Sequence, residues 1–196
     1  TVFSMVIATL GGYGISRFRF RGRGFLSYFI LTTQVLPGSL LIIPLYVIMG
    51  NLQLLDTKIG LVAAYCTFSI PFCTWMMKGF FDTIPISLEE AAMIDGCTPV
   101  QTYFKVIVPM LRPTMITVAI LNAMWIWNDY LLPTLVLDSE KPTIPMAVQY
   151  LRGGYGSIDM GAMMAMLVLA ILPIIVFYLT CQKYIIKGVA AGAVKG

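Results

Sequence analysis

Residues 87–109 read S-L-E-E-A-A-M-I-D-G-C-T-P-V-Q-T-Y-F-K-V-I-V-P, a polar stretch set between long apolar runs. Ser87 followed by Glu90 has the spacing of a capping box, in which the hydroxyl takes an orphan N–H and the carboxylate reaches back to the cap residue. Thr98, Pro99 and Gln101 repeat the device, with proline at the first helical position, where its missing N–H costs nothing. Gly96 lies between them, where the chain needs positive φ to leave the first helix. The second helix puts Val100, Tyr103, Phe104, Ile107 and Val108 on one face and Gln101, Thr102 and Lys105 on the other, as in an amphipathic helix. The stretch therefore predicts two short capped helices joined by a tight turn, one face packed and the other meeting water or a partner.

Composition decides what surrounds this hairpin. The chain is 59% hydrophobic and 11% charged, with a mean hydropathy of +0.86, whereas a soluble domain carries about 25% charged residues. It reads as an all-α, polytopic transmembrane bundle. The apolar runs predict about five spans, near residues 1–16, 25–50, 59–77, 114–137 and 160–181, with the hairpin at 87–109 and a tail at 184–196. The first run rises only about 22 Å as a helix, short of the roughly 30 Å hydrocarbon core. With no initiator methionine, the expectation is that the sequence starts inside a span. A signal peptide is the rival reading, but the basic cluster follows the apolar run, the reverse of signal-peptide order. Pro37, Pro44, Pro71 and Pro173 fall in predicted spans, where neighbouring helices and water can re-satisfy freed carbonyls, so kinks are expected.

Charge sets the orientation. Arg17, Arg19, Arg21, Arg23, Lys78, Lys105, Arg112, Lys183, Lys187 and Lys195 fall on one side, and Lys58, Lys141 and Arg152 on the other, ten against three of the 13 basic residues. The rule counts these residues rather than net charge, so the hairpin and the C-terminus are expected in the cytoplasm. The run R-F-R-F-R-G-R, residues 17–23, is a topology signal on this reading. A patch for anionic lipid or nucleic acid is the other reading; no nucleic-acid partner is expected.

Several chemistries are absent. No histidine occurs, which removes His-dependent acid–base chemistry and His-containing metal sites. Cys66, Cys73, Cys97 and Cys181 lack paired metal-ligand spacing, and three lie in predicted spans, so free thiols are the default. No catalytic or metal site is expected. There is no G-x-x-x-x-G-K-[ST] phosphate loop, so if ATP powers this chain another subunit holds the nucleotide.

Asp129 is the informative intramembrane charge. A carboxylate at bilayer depth costs roughly 2.5 to 3.5 kcal/mol on insertion scales, so it should face a cavity or a partner. With Trp125, Trp127 and Asn128 beside it, it could offer hydrogen bonds and an aromatic platform to a polar solute. Interfacial anchoring of the tryptophans, and snorkelling or interhelical pairing of Asp129, are the alternatives. Residues 143–152, T-I-P-M-A-V-Q-Y-L-R, could form a short outer helix or a plain connector.

At Glu90, Ala91, Ala92 and Gly96 the pattern E-A-A-x-x-x-G, closed by Val106, Val108 and Pro109, resembles the cytoplasmic signature of the membrane subunits of binding-protein-dependent ABC importers. Val106 and Val108 stand where Ile and Leu are usual. The resemblance covers nearly the whole chain and implies six spans in the full sugar-importer chain, the first being absent here. W-I-W-N-D-Y-L-L-P, residues 125–133, is similar to the W-N-[DE]-[FY] run of carbohydrate permeases. The end G-V-A-A-G-A-V-K-G, residues 188–196, resembles the tail of the maltose-type second permease subunit.

The resemblance implies a permease forming half of a path for a sugar or oligosaccharide by alternating access. Its partners would be a homologous second permease subunit, two ATP-binding subunits carrying ATP and Mg, and an extracytoplasmic solute-binding protein. It implies a bacterial or archaeal plasma membrane and no cofactor on this chain. Glu89, Glu90, Ala91, Ala92, Asp95 and Gly96 would couple to the ATPases, with Glu90 also a cap and Glu89 and Asp95 the polar contacts. Trp125, Asn128 and Asp129 would line the substrate path, and Gly192, Val194, Lys195 and Gly196 would reach the ATPase pair. A permease for a polyol or glycerol phosphate, an ion-coupled secondary transporter and a structural membrane subunit are the other readings.

Overall fold

The computed structural model describes residues 1–138, 140–153 and 160–193. Every regular element among them is a helix: α1 (Val2–Arg17), α2 (Arg23–Val35), α3 (Gly38–Asn51), α4 (Lys58–Asp82), α5 (Ile86–Ile94), α6 (Pro99–Thr102), a π turn (Tyr103–Ile107), α7 (Val108–Asn128), α8 (Leu131–Val136), α9 (Ile144–Gly153) and α10 (Met160–Ala193). Among the described residues, three stretches are long and apolar enough to cross a membrane, Lys58–Asp82, Pro99–Asn128 and Met160–Gln182. The pair α2 and α3 passes the same test only if taken as one broken span.

The helices belong to two compact units. One comprises Thr1–Val35, Ser69–Asn122 and the chain from Gln182; the other comprises Leu36–Phe68 and Ala123–Cys181. Among the described residues the first holds Arg17, Arg19, Arg21, Arg23, Lys78, Lys105, Arg112, Lys183 and Lys187, and the second only Lys58, Lys141 and Arg152. The partition by contact thus repeats the partition by charge.

In the first unit, α4 contributes Cys73, Met77 and Phe81 at i, i+4 and i+8, which is one helical stripe. Met5 and Ala8 of α1, Tyr103 and Ile107 of the π turn, and Leu111 and Val118 of α7 complete this core. Gly12 lets α1 approach α4 closely, since a Cβ there would lie 3.0 Å from the Lys78 nitrogen and 3.1 Å from Met77 Cβ.

In the second unit, Met49, Ala64 and Val136 are buried together, with Leu45, Leu54 and Leu61 against them. The turn into α4 holds Gln53 and Asp56 at positive φ, 56° and 55°. Thr57 caps α4 by accepting the Gly60 N–H at 2.9 Å while donating to the Leu54 carbonyl at 2.7 Å. Asp56 N–H donates to the Val136 carbonyl at 2.7 Å, and Lys141 Nζ donates to the Asp56 carboxylate at 2.7 Å.

Two apolar runs read as single spans are divided. The run at 25–50 breaks at Leu36 and Pro37, because a residue before proline is pushed out of the helical region. The run at 114–137 breaks at Asp129 and Tyr130: Pro133 has no N–H for the Asp129 carbonyl, and Asp129 Oδ1 takes the Leu131 N–H at 3.1 Å in an Asx turn. Pro44, Pro71, Pro113 and Pro173 lie inside helices, the setting expected of three of them. Residues 144–153 form a short helix, α9, rather than a plain connector. All four cysteines are free thiols.

Candidate functional site

The hairpin forms, with one of its two expected capping boxes. Thr98 Oγ1 accepts the Gln101 N–H at 3.3 Å, and Gln101 Oε1 accepts the Thr98 N–H at 2.9 Å, with Pro99 at the first helical position. The Ser87–Glu90 box does not form. Helix α5 starts at Ile86 with Pro85 as its cap residue, and makes no side-chain cap bond. Ser87 is already helical there, and an N-cap must keep the extended backbone that precedes the helix. Glu90 is thereby released from capping and is exposed.

Gly96 closes α5 at φ +87. Its N–H donates to the Met93 carbonyl at 3.0 Å and the Cys97 N–H donates to the Ala92 carbonyl at 2.9 Å, the paired bonds of a Schellman motif. A side chain at Gly96 would meet nothing within 4 Å, so glycine is needed for its backbone and not for space.

The expected face of the second helix is corrected by the π turn. Over Tyr103–Ile107 the helix widens, and the Val108 N–H donates to the Tyr103 carbonyl five residues back. Pro109 follows at once; its missing N–H and its ring disfavour a regular turn onto Lys105. The result buries Thr102, Tyr103 and Ile107, while Val100 and Phe104 are exposed at 66% and 59%. Ile94 at the end of α5 is likewise 85% exposed.

The two acidic residues singled out as polar contacts part company. Asp95 is exposed at the end of α5, as are Ala91 and Gly96. Glu89 and Ala92 are buried. Glu89 accepts from Arg17 Nε at 2.5 Å through Oε1 and from the Tyr13 hydroxyl at 2.9 Å through Oε2. Arg17 also donates through Nη2 to the Ile84 carbonyl at 2.8 Å. Nearby, the Ser16 hydroxyl donates to Asp82 at 2.6 Å, and Lys78 donates to the other oxygen of that carboxylate at 2.7 Å. Sequence reasoning passed over Tyr13 and treated Arg17 as one of four arginines marking topology. Their spacing of i and i+4 on a helix, the second at its end, was the available signal.

The candidate pathway residues lie at the end of α7, in the second unit. Trp125 stands edge-on to Tyr65, ring centroids 6.0 Å apart, and is tilted against Phe68 at 6.4 Å. Asn128 turns back on its own helix, donating to the Met124 carbonyl at 2.7 Å. Asp129 spends one oxygen on the Asx turn; Oδ2 is buried, and Tyr65 lies close enough for side-chain hydrogen bonding to the carboxylate. Trp127 donates to the Ala170 carbonyl at 3.4 Å. Gly192 falls in the last turn of α10, and Val194, Lys195 and Gly196 lie outside the described residues.

Residues 2–191 match the family described as "Binding-protein-dependent transport system inner membrane component". The chain is 38% identical over 201 residues to the probable starch degradation products transport system permease protein AmyC of Thermoanaerobacterium thermosulfurigenes, covering all of this chain and 72% of that one. It is 37% identical over 203 residues to the trehalose transport system permease protein SugB of Mycobacterium tuberculosis, again covering all of this chain and 72% of the relative. Its fold matches a chain in the crystal structure of a bacterial ABC transporter involved in the import of the acidic polysaccharide alginate, with a TM-score of 0.73 and 26% identity over 93% of this chain and 72% of that one. The helical hairpin with its E-A-A-x-x-x-G turn, set between membrane-length helices, thus has a family to go with it: the chain belongs to the binding-protein-dependent transport system inner membrane components.

Proposed function

We propose that the chain is a permease subunit of an ATP-driven importer for a sugar or oligosaccharide and forms half of the translocation pathway. The carrying observation is the hairpin: a helix closed by a Schellman turn and followed by a reciprocal cap, joined on both sides to membrane-length helices. Such an element is stiff enough to pass a rigid-body displacement into the spans attached to it. Glu90, Ala91, Asp95 and Gly96 are its outward residues, and Ile94 and Val100 add exposed apolar side chains. Exposed apolar side chains outside the hydrocarbon region suit a protein cover. The partners are two ATP-binding subunits, which hold ATP and Mg and do the hydrolysis, together with a second permease subunit and an external solute-binding protein. The hairpin and C-terminus face the cytoplasm, and the tail through Gly192, Val194, Lys195 and Gly196 reaches toward the ATPase pair.

In the second unit, Trp125 and Asp129 suit a carbohydrate. A ring face packs on the apolar side of a sugar, and the buried carboxylate oxygen beside Tyr65 has a further lone pair with which to accept a hydroxyl. Relatives named for starch products and for trehalose support the class of solute. The test is uptake of labelled maltooligosaccharides, trehalose and glycerol phosphate into proteoliposomes holding the complete complex. ATP-dependent uptake of a carbohydrate is expected. Uptake that survives ATP removal and collapses with the ion gradient would overturn the reading in favour of a secondary transporter.

A further inference from the structure

The covalent route from the hairpin leads only into α4 and α7; α1 is separated from α5 by most of the intervening chain. What joins α1 to α5 is a buried polar joint. The side chains of Arg17 and Glu89 are 9% and 8% exposed, and theirs is the one ion pair that links two helices of this unit among the described residues. Arg17 grips the linker before α5 through the Ile84 carbonyl and α5 itself through Glu89, and Tyr13 holds the second Glu89 oxygen. Tyr13 is in turn wedged edge-on against Phe81 at 5.4 Å and tilted on Tyr103 at 4.8 Å. Each oxygen of the carboxylate therefore has a donor from α1, one of them charged, in a site that water hardly reaches.

We infer that Arg17 and Tyr13 are positioning residues for energy coupling: through Glu89 they make α1 move with the hairpin, so that displacement of α5 by a nucleotide-driven partner reaches a third helix to which it has no chain connection. This rests on the transport reading above. Buried, charge-assisted bonds suit the task because they are directional and break at a cost that apolar sliding contacts do not impose. The joint also assigns different tasks to the neighbouring acids Glu89 and Glu90: the first faces inward to α1 and the second outward.

The experiment uses the complete importer in proteoliposomes and reads uptake per ATP hydrolysed. Arg17→Met is expected to keep ATP hydrolysis while uptake per ATP falls by about tenfold, within the range that changes to linking residues produce. Arg17→Lys, which keeps the charge, is expected to recover part of the loss; a merely structural defect would lower hydrolysis and uptake together. An unchanged ratio in Arg17→Met overturns the proposal. Should that variant fail to assemble, Tyr13→Phe decides, since it keeps the ring packing and removes one bond: a drop in the ratio of about threefold supports the joint, and no drop overturns it. If the wild-type complex shows no ATP-dependent uptake, the transport reading has failed. The joint is then judged by hydrogen exchange of residues 86–94 in the full chain, where Arg17→Met should raise the exchange rate about tenfold and an unchanged rate overturns it.

Discussion

Thr98 and Gln101 satisfy one another's backbone: each side chain accepts the other's N–H, at 3.3 Å and 2.9 Å. The second helix of the hairpin starts on this exchange. Thr98→Ala should cost about 1 kcal/mol and Thr98→Ser very little, since the hydroxyl does the capping. Thermal melting of the purified subunit, together with faster exchange at residues 99–102, checks this; equal melting for Ala and Ser would count against it.

Gly96 allows a test of what touches the hairpin. At φ +87 any side chain is strained, at about 1 to 2 kcal/mol for an ordinary residue and less for Asn. Because the chain itself leaves open space around the site, Ala and Leu should destabilise the isolated subunit equally. In the assembled importer Leu should depress uptake well below Ala, because the extra bulk then meets the partner wall. Equal uptake for Ala and Leu would show that nothing lies against the turn.

Two glycines of α1 should respond in opposite directions. A Cβ on Gly12 comes within 3.0 Å of α4 backbone, and on Gly14 it meets nothing within 4 Å. Gly12→Ala should lower stability by about 1 to 3 kcal/mol. Gly14→Ala should raise it by about 0.5 to 1 kcal/mol through helix propensity alone. Melting of the two variants side by side decides the matter.

The tie between Asp56 and Lys141 predicts a pH window. The Lys141 hydrogen bond first, and then the Asp138 N–H, hold the Asp56 carboxyl below its usual range. The same contact holds Lys141 above its own. The Asp56 share is complete above the ordinary carboxylate value and is lost as pH falls through the lowered folded value. The Lys141 share is complete below the ordinary lysine value and is lost as pH rises through the raised one. Protease cutting in the loops around residues 52–57 and 137–141 should stay flat from about pH 5 to pH 10 and rise only outside that window. An increase near neutrality would contradict it.

Local devices were legible in the sequence and remote ones were not. Thr98, Pro99, Gln101 and Gly96 act on residues at most five positions away, so their spacing alone reported their roles. Ser87 and Glu90 had the same spacing, but Pro85 just upstream starts the helix at Ile86 and leaves them inside it. The partner of Glu89 is Arg17, 72 positions back, and no pattern of neighbours announces a bond between helices so far apart in the chain. The membrane character of α4, α7 and α10 followed from composition. The ends of the spans did not, because an apolar run continues through Pro37 and Pro133 while the backbone does not.

The π turn over Tyr103–Ile107 sets a phase. A wide turn holds one residue more than a regular one, and each helical residue turns the axis by about 100°. The wide turn absorbs that extra residue and keeps the hairpin in phase with α7, so losing one there leaves a regular turn, whereas losing one from residues 110–113, where no wide turn takes up the change, would rotate the hairpin by that angle about the α7 axis. Glu89 would be carried away from Arg17 and the outward row would point elsewhere, even though every side chain that matters was still present. The chain therefore has a length constraint that amino-acid identity does not express: just after the wide turn it can exchange a residue more easily than it can lose one.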